Sequence, residues 1–238
     1  MIDKEGKAIY SQLKSMIGPS IDGKEAIIEM KNKKSRNWKQ MEWMGFYLEE
    51  KTREILTETI GGGKGPLYGR TGMDYKLEYV WDIKVHSVRD ARGNNANECV
   101  LNDTEAIENA LVEYGSVGFM IYLVNPEWDV KGEFKEWHDS QKGKMSDYVK
   151  ERIERGAPSR MRKSAVEVVD LMIVSLSEED VESGTKGGWL MGFQNGMRNS
   201  NGNPRRSKIK INVGRIPDKC IIEGNLEIGR PRQNRNNI

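Results

Sequence analysis

Histidine and cysteine are almost missing from this chain, with 2 of each in 238 residues. His86 and His138 alone are too few for a histidine-rich zinc centre or a paired-histidine catalytic arrangement. Cys99 and Cys220 show no metal-ligand spacing, and so few thiols suit a reducing cytoplasm better than a disulfide-stapled secreted scaffold. No apolar run approaches the ~20 residues that cross a bilayer. Mean hydropathy is −0.71, and the opening MIDKEGKAIYSQLK has no apolar leader; membrane insertion and export are not expected. A nucleotide fingerprint is missing too. Gly61-Gly62-Gly63-Lys64-Gly65-Pro66 has glycines enough for a phosphate loop, but no Gly-Lys-Ser/Thr follows and no apolar strand leads in. It reads as a helix stop, and no nucleotide cofactor is expected.

Charge, by contrast, is abundant at 31% of residues, and its net value of +2 hides an uneven distribution. Residues 198–238 carry 10 Lys/Arg and 3 Asp/Glu, a balance of +7, which leaves −5 for residues 1–197. A basic segment on a slightly acidic body is what a surface meeting phosphates requires. The length suits one α/β domain, read here as a helical part (1–60), a core (61–176) and a basic segment (177–238).

The stretch from Gly72 to His86, GMDYKLEYVWDIKVH, carries the chemistry. Tyr79, Val80, Trp81, Ile83 and Val85 are strand formers. Alternation puts Tyr79, Trp81, Ile83 and Val85 on an apolar core face, and Val80, Asp82, Lys84 and His86 on a mixed face. Asp82 and Lys84, two residues apart, leave the strand on one side, and Asp74 lies on a run expected to pair with it as a hairpin. Two carboxylates can hold Mg²⁺, and a lysine beside them can act on a phosphate oxygen or an attacking water. A solvated charged face explains the same pattern.

These residues resemble the PD-(D/E)XK nucleases, most closely the type II restriction endonucleases. Asp74 matches the first acid, with Met73 where the name-giving proline would stand, and Asp82-Ile83-Lys84 matches the D-x-K. The likeness covers about residues 35–90. It implies a mixed central sheet flanked by helices with a restriction-endonuclease-like core. It implies Mg²⁺ held by Asp74, Asp82 and the backbone carbonyl of Ile83, and Lys84 acting at the scissile phosphate. It further implies double-stranded DNA as substrate, 5′-phosphate and 3′-hydroxyl products, and a homodimer. The family often adds a glutamate from a preceding helix. Here residues 38–58 read as that helix, with Glu42 at the edge of its apolar stripe as the candidate to hold the metal or a water in its outer shell. Glu49, one heptad later on nearly the same line, is the rival.

The remaining patterns fill in the architecture. Helices are expected over 4–17, stopped by Gly18-Pro19, and over 21–34 with Asp22 near its start. Residues 89–102 read as a polar loop. Thr104 or Asp103 is expected to cap a helix over 105–114. Val117–Val124 and Val166–Leu176 read as buried strands, and 127–155 as mainly helical. For DNA contact, Lys33, Lys34 and Arg36 form one basic cluster, and Arg70 and Thr71 precede Asp74. Gln194, Asn195, Arg198, Asn199, Arg205 and Arg206 compose a base-reading loop, with Lys208, Lys210 and Arg215 at phosphates beside it. Two other functions fit the same residues: a repair or structure-specific nuclease of the same fold, and a DNA-binding protein without catalysis.

Overall fold

A computed structural model describes residues 1–64, 72–143, 145, 147–198 and 202–225. The chain opens with α1 (Ile2–Leu13), β1 (Ser20–Asp22) and α2 (Gly23–Asn32), and a 3₁₀ turn at Arg36–Lys39 leads into α3 (Trp43–Thr59). Then come β2 (Gly63–Lys64), β3 (Tyr75–Lys76), β4 (Val80–Ser87), β5 (Glu98–Asp103), α4 (Thr104–Tyr114) and the long strand β6 (Ser116–Trp128). α5 (Glu133–Lys142) and α6 (Asp147–Glu154) precede β7 (Lys163–Ser177). α7 (Glu178–Gly187), β8 (Leu190–Phe193), β9 (Lys208–Asn212) and β10 (Ile221–Glu223) follow.

A mixed central sheet runs in the order β1-β7-β6-β4-β3-β2, with β10 also on β7. β4 and β6 are parallel, while β6 and β7 are antiparallel over their length. Two parallel neighbours need a crossover, and β5 with α4 provides it. β5 also leaves the plane to join β9 and β8 in a second, antiparallel sheet.

Both faces of the central sheet are covered, which explains its unbroken apolar runs. Met120, Tyr122 and Val124 of β6 face a layer of α1, α2 and α3 built from Ile9, Leu13, Ile27, Trp43 and Leu48. Phe119, Ile121 and Leu123 face the other way, onto Leu101, Ile107, Leu190 and Ile211. Inside the first layer, Thr52 and Tyr122 hydroxyls meet at 2.7 Å and tie α3 to β6.

Several expectations change. The mixed face of β4 is not solvated: Asp82 is 0% exposed because β5 and its sheet lie over it. Residues 98–103 are strand rather than loop, since Cys99 and Leu101 are buried. α3 begins at Trp43, not Trp38. Neither Asp103 nor Thr104 caps α4 by its side chain; Asp103 binds Lys208 at 2.8 Å and Arg206 at 3.2 Å instead. Asp22 does cap α2, accepting from Lys24 N and Glu25 N at 2.8 and 3.0 Å. In the basic segment, β9 pairs with β5 and β10 with β7. Among the described residues no helix is long and apolar enough to cross a membrane.

Candidate active site

Asp74, Asp82 and Lys84 converge at one edge of the central sheet. β3 pairs with β4 only through Tyr75↔Trp81 and Lys76↔Val80, so the strand pair opens just where Asp74 sits. There the Asp74 carboxylate takes the place of a strand partner: its Oδ2 accepts from Ile83 N at 2.9 Å. Ile83 itself is buried, in the helix-facing core. Lys84 Nζ lies 2.6 Å from Asp82 Oδ2 and 3.9 Å from Asp74 Oδ2. The Lys84 side chain is 22% exposed.

Electrostatics keep the Lys84 ammonium charged. Burial works against the Lys84 ammonium, but the Asp82 and Asp74 carboxylates outweigh it and hold its pKa above the ordinary lysine range. Burial pushes Asp82 well up, with Lys84 opposing and Asp74 adding repulsion. Burial likewise lifts the Cys99 thiol to about 12, so this cysteine is an inert wall of the site. His86 donates to or accepts from nothing in the cluster: its Nε2 is 2.8 Å from Ala96 O, and burial lowers its pKa.

Two further residues join the site, and one leaves it. Glu42 stands at the N-terminal end of α3, 56% exposed, paired with Lys163 at 3.0 Å. It does not enter the cluster, because the helix starts one residue later and leaves Glu42 in the unwound entry. Glu49, two turns on, pairs with Arg53 at 3.3 Å and lies near enough to Asp74 and Lys84 to feel both charges. Burial first, and then the nearby Asp74 charge, raise its pKa to about 7 against the pull of Arg53 and Lys84. Asn102 of β5 is the residue that sequence reasoning missed. Its Nδ2 donates to Asp82 Oδ1 at 3.2 Å and reaches Gly72 O at 3.4 Å, while its Oδ1 accepts from Asp103 N at 2.7 Å. The usable signal was the apolar Cys99-Val100-Leu101, which marks a strand.

The donor set fits a hard divalent cation. Asp82 Oδ2 has an ion pair to Lys84 but no directed hydrogen bond among the described residues, so an acceptor lone pair is open beside a second carboxylate. No group of three His, Cys, Asp or Glu side chains is placed to enclose a metal among the described residues. Mg²⁺ is commonly held by one or two carboxylates with waters and substrate phosphate completing the shell, and Asp74 with Asp82 supplies that number.

The proposed DNA contacts divide. Gln194 (φ +64°), Asn195, Arg198 and Arg205 lie on the β8–β9 connection. There Arg198 bridges Pro204, its guanidinium donates to Gly202 O at 2.9 Å, and Arg205 N donates to Met197 O at 2.8 Å. Asn195, Arg198 and Arg205 are exposed. The root of this connection is beside the carboxylates, because Lys208 binds Asp103, the neighbour of Asn102. Lys208 and Lys210, expected at phosphates, pair with Asp103 and Glu98, and Arg206 of the expected base-reading loop pairs with Asp103. Arg215 donates instead to Gly187 O and Gly188 O at the end of α7. Lys33 is held by Glu29 and Glu54 at 3.0 and 2.6 Å, while Lys34 (φ +58°) and Arg36 are exposed beside it. Arg70, Thr71 and Asn199 lie outside the described residues. Family models, curated proteins and solved structures were all compared with the chain, and none matches.

Proposed function

We propose that this chain is a Mg²⁺-dependent, sequence-specific endonuclease of double-stranded DNA, a type II restriction enzyme with a restriction-endonuclease-like core, working as a homodimer. The observation that carries the reading is the meeting of Asp74, Asp82 and Lys84 within hydrogen-bonding and ion-pairing distance at an open strand edge. Asp74 and Asp82 would hold the metal together with the Ile83 carbonyl. When bound, the cation supplies positive charge against the negative charge that builds on the phosphate oxygens. An ammonium held between two carboxylates keeps its proton, so Lys84 contributes charge and N–H donors to a non-bridging phosphate oxygen rather than acting as a base. Glu49 holds a water beside Asp74, the role expected of Glu42. Asn102 fixes the Asp82 carboxylate and the backbone at Gly72, which keeps the two acids in register. The exposed Asn195, Arg198 and Arg205 offer the donors and acceptors that read base edges in the major groove.

Unmethylated phage DNA of mixed sequence, incubated with the protein and Mg²⁺ and then with EDTA, tests this. Discrete fragments bearing 5′-phosphates, in Mg²⁺ alone, are expected. A smear makes it a nuclease of the same fold without tight specificity. Intact DNA with a retarded band in both lanes means binding without catalysis.

A further inference from the structure

The second sheet meets the carboxylate cluster at an irregular point of β5. Exposed Glu98, buried Cys99, half-buried Val100 and buried Leu101 alternate as a two-faced strand should. The alternation breaks at Asn102, which is buried beside Leu101, and Asp103 is buried as well. The pairing shows why. Val100 stands against Lys210 and Asp103 against Lys208, so Leu101 and Asn102 share the span of the single residue Ile209. That is a β-bulge, an irregularity that re-aims a side chain. Here it turns Asn102 toward Asp82, whose Oδ1 accepts from Asn102 Nδ2 at 3.2 Å. Asn102 Oδ1 accepts from Asp103 N at 2.7 Å, which fixes the end of the amide that meets the carboxylate.

Asp103 holds the bulge from the other side. It occupies the N-cap position of α4, where an acid ordinarily accepts from N–H groups of the first turn, yet its side chain makes no such bond. Its oxygens turn to cations instead: Oδ1 pairs with Lys208 Nζ at 2.8 Å and Oδ2 with Arg206 Nη1 at 3.2 Å. Between those two residues, Ser207 O accepts from Thr104 N at 2.9 Å. Arg206 closes the β8–β9 connection that carries Asn195, Arg198 and Arg205, and Lys208 opens β9. Removing either cation would leave a buried carboxylate underpaired. Lys208, Asp103, Asn102 and Asp82 thus form one bonded line from the connection to the proposed metal ligand.

We infer that Asp103 is a positioning residue: by clamping the β5 bulge to Lys208 and Arg206 it holds Asn102 on Asp82, so the arrangement of the carboxylates depends on the seating of the β8–β9 connection. This rests on the nuclease reading for what the carboxylates do. It adds that the connection proposed to meet DNA also sets the geometry of the cutting site. Groups that orient metal-binding carboxylates from behind are commonly worth about ten- to a hundredfold in affinity or rate.

Asp103→Asn and Lys208→Met test this, with Lys84 as the reporter because its ammonium lies 2.6 Å from Asp82 Oδ2. The Lys84 side-chain NMR signals of the metal-free full chain, assigned by their loss in Lys84→Gln, should shift in both variants. Unshifted Lys84 signals in folded Lys208→Met overturn the proposal. Single-turnover cleavage of unmethylated phage DNA with Mg²⁺ and saturating protein should be about ten- to a hundredfold slower in Asp103→Asn, while the same DNA without metal is retarded as by the wild type. The double variant should be no slower than the slower single. Additive losses, or a wild-type rate in Asp103→Asn, would reduce Asp103 to a structural ion pair. Near-ultraviolet circular dichroism checks folding, and Lys208→Met, at a side chain 30% exposed, decides if Asp103→Asn does not fold. If the wild type cuts no DNA the nuclease reading falls, and the Lys84 signals alone decide whether the clamp stands.

Discussion

At Lys84 a single ammonium faces two carboxylates, 2.6 and 3.9 Å away. Lys84→Ala should lower Mg²⁺-dependent cleavage by at least about a hundredfold while the DNA is still retarded on a gel. Lys84→Gln, which keeps a donor for Asp82, should do the same and guards against plain unfolding. A plasmid nicked at the wild-type rate by either folded variant removes Lys84 from the chemistry. Glu49→Gln should slow cleavage by about tenfold or more and, at pH 8, raise the melting temperature. The sign follows from a folded pKa of about 7 that lies above the unfolded value: the buried charge opposes folding above pH 7, and an amide removes it. An unchanged rate in Glu49→Gln would make it a bystander. The sequence was readable here to a definite depth. Spacing alone placed Asp82 and Lys84 together, because a period of two depends on nothing beyond the strand. It could not choose between Glu42 and Glu49, since both fit one helical line and the choice turns on where α3 starts. Asn102 was hidden because its partner Asp82 is 20 residues away and a neutral amide in a polar run carries no pattern.

Among the elements, β6 and β7 were legible because each is buried on both faces, and α1 and α2 because their stripes end at Gly18-Pro19 and begin at Asp22. β1 and β10, of three residues each, exist only through pairing with β7, and no local signal marks them. β5 failed for a related reason: its acids Glu98 and Asp103 pair with the β9 lysines Lys210 and Lys208. The junction of β4 and β6 shows how tightly such distant pairing is fitted. Gly118 pairs with Trp81, and a Cβ there would stand 2.1 Å from Trp81 Cε3. The indole cannot swing away, because its Nε1 donates to Glu5 Oε2 at 2.9 Å, and Glu5 also accepts from Glu78 N at 2.8 Å. Gly118→Ala should therefore cost about 3 kcal/mol or more in urea unfolding. Asp22→Ala, which loses only a helix cap, should cost about 1 kcal/mol. Equal midpoints for Gly118→Ala and the wild type would show that the indole has room to move.

Across the whole molecule, His138 links three separate stretches of chain. It is 0% exposed, in the α5 layer beside Trp38 and Phe134. Its Nε2 lies 2.8 Å from Trp38 O and its Nδ1 3.0 Å from an Arg162 guanidinium nitrogen. Arg162 only donates, so Nδ1 accepts, Nε2–H donates, and the ring is neutral. A second proton would have to displace the guanidinium. Burial chiefly, with Lys142 and Arg162 adding to it, lowers the pKa to about 4. An unfolded histidine titrates near 6.5, so between those values the unfolded chain binds the extra proton. The contribution of His138 to stability is complete above about pH 6.5 and is lost as the pH falls toward 4, up to about 3 kcal/mol in all. Glu49 runs in the opposite sense over nearly the same interval, since its pKa is raised, and the raw stability curve mixes the two. His138→Gln isolates one of them. Glutamine can accept from Arg162 and donate to Trp38 O but does not titrate, and Glu49 acts equally in both proteins. The stability difference between wild type and His138→Gln, from urea unfolding at several pH values, should be flat above pH 7. It should shift against the wild type on acidification, with most of the change between pH 6.5 and 4. A difference independent of pH over that range would mean that the imidazole accepts its proton in the folded protein as easily as in the unfolded one. The hydrogen bonds of His138 to Trp38 and Arg162 would then not hold the imidazole neutral.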